Sequence, residues 1–116
     1  MGQAASVRFG VEGGALVARV AGDLGGAESL GVFEEIALRL RDHGGGLVLD
    51  LTGVTDMGSA AVGKLLRLGQ VCREAGRKLA VASPASRAMR VLRLVGATAA
   101  VGHYGSVREA LAALGT

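Results

Sequence analysis

The sequence predicts a single α/β domain over residues 1–116, with a mixed, mostly parallel sheet of four to five strands, an N-terminal β-hairpin and about four helices. Short apolar segments of strand length alternate with longer amphipathic segments, which is typical of strands joined by helical crossovers. The length of 116 residues and the 50% hydrophobic content suit one domain with its own core. Twenty glycines separate the segments and mark their ends.

The first elements are a hairpin and a helix. Apolar and polar residues alternate over Ser6–Glu12 and again over Ala15–Ala21, with Gly13-Gly14 between them as a two-residue turn. After a loop at Gly22–Gly26, apolar residues recur every three or four positions over Ala27–Asp42, which predicts an amphipathic helix. The hairpin therefore supplies an antiparallel edge of the sheet.

The middle of the chain predicts a central strand and a second helix. The continuous apolar run Leu47–Leu51 is typical of a strand covered on both faces. A connecting loop is expected at Gly53–Met57, followed by a helix at Ala60–Ala75 with Ser59 as its N-cap. A short buried strand is then expected at Lys78–Ser83.

The last third predicts two further helices and a strand. Pro84 is placed to start a helix over Ser86–Val95, because proline is favoured in a first helical turn. A weak strand is expected at Ala97–Val101, with His103 in a loop after it. A terminal helix is expected over residues 106–114.

The composition argues against several classes of function. Three aromatic residues are too few for base stacking, and the net charge of +3 is not gathered into a basic run, so no nucleic-acid partner is expected. The lone Cys72 excludes an internal disulfide and a cysteine-rich metal site. No apolar segment is long enough to span a membrane. We therefore expect a cytoplasmic protein with no cofactor, no metal and no membrane insertion.

The turn over residues 51–63 is the most informative segment, because α/β proteins usually place their sites beyond the carboxyl ends of central strands. Ser59 would lie at the positive end of a helix dipole, where a phosphate group is accommodated. A phosphate there would add about −1.5 to −2 charges beside Asp56 and change the surface offered to a partner. Ser59 is therefore a candidate phosphorylation site, although a capping role alone also explains this serine.

The run Leu47–Leu66, LVLDLTGVTDMGSAAVGKLL, resembles the signature of STAS-domain anti-sigma factor antagonists. In that family a buried strand leads through a Met-Asp-Ser-Ser/Thr-Gly-Leu-Gly turn into a helix. Three more segments resemble the family in the same order, namely Gly22-Asp23-Leu24, Arg77–Pro84 and Val91–Gly96. The resemblance implies a STAS-like fold and a bacterial regulator of transcription that acts by protein–protein interaction and not by catalysis.

The resemblance also implies a partner and a site. The chain would bind an anti-sigma factor of the serine-kinase type and release a sigma factor, and phosphorylation of Ser59 would abolish this binding. The partner-binding residues would come from the upstream loop, the turn and the start of the second helix: Asp23, Leu24, Asp56, Met57, Gly58, Ser59, Ala60, Val62, Gly63 and Lys64.

The sequence departs from the family pattern around this serine. Gly58 replaces the aspartate before the serine, Gly25 replaces an aspartate of the upstream loop, and Ala60-Ala61 replaces the Ser/Thr-Gly pair. Both acidic neighbours of the phosphorylation site are thus missing unless Asp23 and Asp56 take their place. The binding role depends on these positions less than the phosphorylation switch does.

Other functions stay open. A STAS subunit of a lipid-transport or stressosome-like assembly would tolerate the loss of the acidic residues. A small nucleotide-binding protein is another alternative, because Gly58 to Lys64 satisfies most of a phosphate-binding P-loop, but Leu65 stands where a magnesium-binding Ser or Thr is needed. Neither His43 nor His103 is placed by a known pattern as a base for a serine nucleophile. A homodimer is also left open.

Overall fold

The computed structural model describes residues 4–26, 30–82 and 102–114. The strands form one five-stranded sheet in the order β1-β2-β3-β4-β5, antiparallel between β1 and β2 and parallel elsewhere. The elements are β1 Ser6–Glu12, β2 Ala15–Leu24, α1 Gly31–Arg41, β3 Leu47–Met57, α2 Ser59–Glu74, β4 Leu79–Ala82, β5 Gly102–Tyr104 and α3 Val107–Leu114. The predicted α/β class and mostly parallel sheet are confirmed. The helix predicted at Ser86–Val95 and the strand predicted at Ala97–Val101 lie outside the described residues.

The N-terminal hairpin forms as the sequence predicts. Gly13 and Gly14 both have positive φ angles, 56° and 80°. A two-residue turn of this kind matches the right-handed twist of the flanking strands, and residues with a side chain rarely adopt it. The turn sets the register in which Glu12 lies opposite Ala15.

Helices cover both faces of the sheet. Helices α1 and α2 pack on one face, where Leu16, Ala18 and Leu49 belong to the larger core cluster. Helix α3 packs on the other face against Val17 and Val48. Because successive residues of a strand point to opposite faces, a central strand between two helical layers must be apolar at every position. This explains the continuous apolar run at the start of β3.

Strands β2 and β3 are longer than predicted. Most of the predicted loops at Gly22–Gly26 and Gly53–Met57 is strand, because the parallel pairing of β2 with β3 continues to the pairs Asp23↔Asp56 and Leu24↔Met57. The register shifts between Gly22 and Asp23, so the pairing is irregular there. Long-range pairing of this kind has no local signal in the sequence.

Helix α1 spans Gly31–Arg41, and residues 27–29 at the predicted start of this helix lie outside the described residues. One other prediction is wrong: His103 does not lie in a loop but in β5, where it pairs with Val81. Among the described residues, no helix is both long and apolar enough to cross a membrane.

Candidate functional site

The candidate site lies where β2 and β3 end and α2 begins. Asp23 and Leu24 pair with Asp56 and Met57 on the neighbouring strand. The N–H of Gly58 donates a hydrogen bond to the carbonyl of Leu24, with an N···O distance of 3.2 Å. The structure therefore joins the two segments that the sequence analysis selected separately.

Helix α2 starts one residue earlier than predicted, and its N-cap is Gly58 instead of Ser59. The carbonyl of Gly58 accepts the first helical hydrogen bond from the N–H of Val62, at 3.1 Å. Because strand pairing continues to Met57, a single residue separates strand from helix. Ser59 is thus the first helical residue, and no side chain caps this N-terminus. The capping explanation for Ser59 is wrong.

The Ser59 side chain is exposed, and its hydroxyl has no hydrogen-bond partner among the residues that the structure describes. Ala60, Gly63 and Lys64 are also exposed. At about 100° per helical residue, these four residues lie within an arc of about 140°. A side chain at Gly63 would point into open space. The first turns of α2 thus present a surface of small residues with a lysine beside it.

Three of the selected site residues contribute packing but no exposed surface. The side chains of Leu24, Met57 and Val62 are only 1%, 4% and 2% exposed and belong to the core between the sheet and helices α1 and α2. Their apolar character fixes the strand ends and the start of the helix. They hold the exposed residues in place, and a partner would not touch them without a rearrangement of the core.

The acidic side chains of the site are held by the backbone. An Oδ1 oxygen of Asp23 accepts a hydrogen bond from the N–H of Gly25 at 2.7 Å, and Oδ1 of Asp56 accepts one from the N–H of Met57 at 2.9 Å. A Cβ atom at Gly25 would lie 2.9 Å from the Asp23 Oδ1 and 3.3 Å from the Asp56 Oδ2. The two carboxylates therefore border the same glycine and form one acidic site.

The two glycines that replace family aspartates lie against each other. A Cβ atom at Gly58 would lie 3.2 Å from the carbonyl oxygen of Gly25 and 3.4 Å from its Cα. The backbone of Gly25 thus occupies the space next to Gly58, and the carboxylate of Asp23 occupies the space next to Gly25, where the family pattern has acidic side chains. Acidic charge is nevertheless present at this junction, on Asp23 and Asp56.

Comparison with known proteins assigns the family. The family model of the STAS domain matches residues 7–110. The chain belongs to the STAS domain family. Comparison with curated protein sequences gives no significant match.

Solved structures show the same fold as this STAS domain. The crystal structure of an anti-sigma factor antagonist from Mycobacterium paratuberculosis matches with a TM-score of 0.79 and 23% identity, covering 96% of this chain and 94% of the other. A candidate anti-sigma factor antagonist from Thermotoga maritima matches with a TM-score of 0.81 and 17% identity, covering 93% of each chain. At these identities the likeness describes the fold.

The turn of this STAS domain does not have the shape of a P-loop. Residues 59–63 are helical, and the N–H of Gly58 is bound to Leu24. A phosphate-binding loop needs several backbone N–H groups that converge on the ligand. Lys64 points outward from the second turn of α2 and is exposed. The segment therefore lacks the geometry on which the nucleotide-binding alternative depends.

A groove next to Lys64 was not part of the predicted site. It lies between α1 and α2, has a volume of about 160 Å³, and its floor includes Phe33, Ala37 and Leu68. Val71, at its edge, is 45% exposed. The spacing of Gly63, Arg67 and Val71 at intervals of four places them on one side of α2. From this spacing, the sequence could have predicted that the binding surface continues along α2 towards the groove.

Proposed function

We propose that this STAS domain is an anti-sigma factor antagonist of the bacterial cytoplasm. It binds an anti-sigma factor of the serine-kinase type and thereby releases a sigma factor. The main support is the exposed hydroxyl of Ser59 in the first turn of α2, which has no hydrogen-bond partner among the described residues. The resemblance around Leu47–Leu66 and the fold shared with an anti-sigma factor antagonist also support this function.

The binding surface consists of the exposed arc of α2 and the adjoining carboxylates. Ala60 and Gly63 have little or no side chain, so a partner can approach the helix backbone closely. Lys64 adds a positive charge at the edge of this surface, and Asp23 and Asp56 add negative charge beside it. Complementary charges of this kind select the partner and fix its orientation.

Phosphorylation of Ser59 regulates the binding. The phosphate would lie at the N-terminus of α2, where N–H groups without an intrahelical acceptor and the helix dipole favour negative charge, so the helix would stay folded. About −1.5 to −2 charges would be added close to the acidic site of Asp23 and Asp56. The partner would then meet both a bulky group and a concentrated negative charge where it had met small residues. Binding is lost without any change of fold.

The test is a binding measurement with the anti-sigma factor kinases of the same organism. Isothermal titration calorimetry of each purified kinase against the unmodified chain is expected to find one partner that binds one-to-one. Ser59→Ala should bind it equally well, because the hydroxyl has no partner in the described structure. Failure of every kinase to bind would contradict the function. A stable transporter complex or a large multimer in pull-downs would instead support the lipid-transport or stressosome-like alternative.

A further inference from the structure

Strand β1 forms an edge of the sheet with an unpaired outer side. Within the described residues, β2 is the only strand that pairs with it. The strand is seven residues long, and Val11 on it is 64% exposed. An edge with unpaired N–H and C=O groups is a template for another strand. The question is which strand this edge fits.

The turn geometry determines which backbone groups are available. The two-residue turn at Gly13-Gly14 makes Glu12 and Ala15 a hydrogen-bonded pair. Since hydrogen-bonded and non-hydrogen-bonded pairs alternate along an antiparallel ladder, the N–H and C=O groups of Val7, Phe9 and Val11 point away from β2. A strand added at this edge must place its own backbone N–H and C=O groups opposite those of these three residues.

The edge is complementary to itself in one register. If two copies of β1 run antiparallel about a two-fold axis at Gly10, Phe9 of each copy lies opposite Val11 of the other. In this register Arg8 of each copy also lies opposite Glu12 of the other. With the axis at Phe9 or Val11, Arg8 and Glu12 would each lie opposite a glycine or another uncharged residue. An axis at Arg8 or Glu12 would place like charges opposite each other, which is destabilising.

The charges already present on this face fit that register. The guanidinium of Arg19 lies 2.8 Å from the Glu12 carboxylate and 3.9 Å from the Asp50 carboxylate, so ion pairs link β1, β2 and β3, while Arg8 lies opposite Arg19 in the pairing of β1 with β2. Arg8 is exposed, and its side chain has no ion pair or hydrogen bond within the described part of the chain. In the self-complementary register, Glu12 of a second copy lies opposite Arg8 and supplies the opposite charge that Arg19 does not.

We propose that the chain forms a homodimer in which β1 pairs with β1 of a second copy about an axis at Gly10. The pairing buries Val11 against Phe9 of the other copy and joins the two sheets into one. Phe9 is already fixed from the side of α1, where the Arg39 guanidinium lies 4.8 Å from its ring centroid. The interface is at the outer edge of the sheet, whereas Ser59 lies beyond the carboxyl end of β3. This proposal does not depend on the proposed function.

Sedimentation velocity of the full chain over a range of concentrations tests the dimer. The wild type is expected to sediment with twice the chain mass of 11.6 kDa. Arg8→Glu and Glu12→Arg each place two like-charged pairs in the interface and should weaken the dimer by about tenfold or more. An equal mixture of these two variants should recover the dimer, because each substituted position then faces an opposite charge. Arg108→Glu, the same charge change on an exposed residue of α3, should leave the dimer intact.

A second measurement tests the register. In the dimer, the amides of Phe9 and Val11 should exchange hydrogen slowly, and in Arg8→Glu they should exchange at a rate that increases with the monomer fraction. A wild type that stays monomeric at all concentrations would overturn the proposal. A dimer that Arg8→Glu and Glu12→Arg leave unchanged, or one whose Phe9 and Val11 amides are unprotected, would also overturn it. Urea unfolding of the same variants shows whether each still folds.

Discussion

The two ends of helix α2 differ in how the N–H groups of the first turn and the C=O groups of the last turn are capped. At the N-terminus, Gly58 caps the helix without a side chain, and Ser59 is exposed. At the C-terminus, Gly76 has a positive φ of 71°, and its N–H donates to the carbonyl of Arg73 at 3.1 Å. The N–H of Arg77 donates to the carbonyl of Cys72 at 2.7 Å. These two hydrogen bonds form a Schellman motif that closes this end.

The C-terminal end is also tied to the rest of the molecule. The Arg77 guanidinium donates a hydrogen bond to the carbonyl of Leu40 at the end of α1. Cys72, in the last turns of α2, is 1% exposed. The comparison teaches that backbone hydrogen bonds and buried contacts close one end of the helix, whereas the other end has no side-chain cap and exposes the Ser59 side chain. Substitutions at the two ends should therefore affect different properties.

The largest effect is expected from negative charge at Ser59. Ser59→Glu should weaken binding to the anti-sigma factor by about 3 kcal/mol, or roughly a hundredfold, because it adds negative charge and a longer side chain to a surface of small residues that adjoins Asp23 and Asp56. The midpoint of thermal unfolding should stay the same or rise slightly, since an acidic residue in a first helical turn is favourable. Calorimetric titration measures the affinity, and thermal unfolding of the same preparation measures the midpoint. Equal affinity for Ser59→Glu and Ser59→Ala would contradict the role of charge.

Added bulk at Gly63 should separate binding from stability. Gly63→Gln should weaken partner binding by about 2 kcal/mol, because a side chain would enter a closely packed interface. The same change should raise the free energy of unfolding by about 0.5 kcal/mol, since glutamine is a better helix former than glycine. Gly31→Gln is the matched control, as a side chain there also points into open space. A loss of stability in Gly63→Gln would show that the position is not open.

The C-terminal end should show the opposite result. Gly76→Ala should lower the free energy of unfolding by about 1–2 kcal/mol, because a residue with a Cβ is strained at a positive φ. Partner affinity should not change. Gly44→Ala is the control, since it has neither a positive φ nor neighbours around an added Cβ. Urea unfolding of both variants measures the difference, and equal midpoints would contradict the assignment of the Schellman motif.

The smallest expected effect concerns how tightly the same end of α2 is packed around Cys72. Burial raises the pKa of the Cys72 thiol above its ordinary value, and the opposing effect of Arg77 is smaller. Since the thiolate is the reactive form, Cys72 should resist a thiol reagent at pH 8 in the folded protein and react completely in denaturant. Gly76→Ala should speed the reaction by loosening the helix end. Rapid labelling of the folded wild type would contradict this packing.

The sequence alone predicts the parts of the fold that have local signals. The positive φ angles at Gly13 and Gly14 and the amphipathic pattern of α2 are of this kind. The N-cap at Gly58 was missed because it depends on the pairing of Leu24 with Met57, which are far apart in sequence. The burial of these two residues was missed for the same reason. Within the candidate site, the exposed face of α2 could be predicted and the supporting core could not.

The central claim is that Ser59 is an exposed switch on a partner-binding surface. Intact-mass spectrometry after incubation with each anti-sigma factor kinase and Mg-ATP tests it most directly, with Ser59→Ala as the test variant and Ser6→Ala, at another exposed serine, as the control. The account predicts a single added phosphate on the wild type and on Ser6→Ala, and none on Ser59→Ala. A phosphate that persists in Ser59→Ala, or the absence of any phosphate with the kinase that binds, would contradict it.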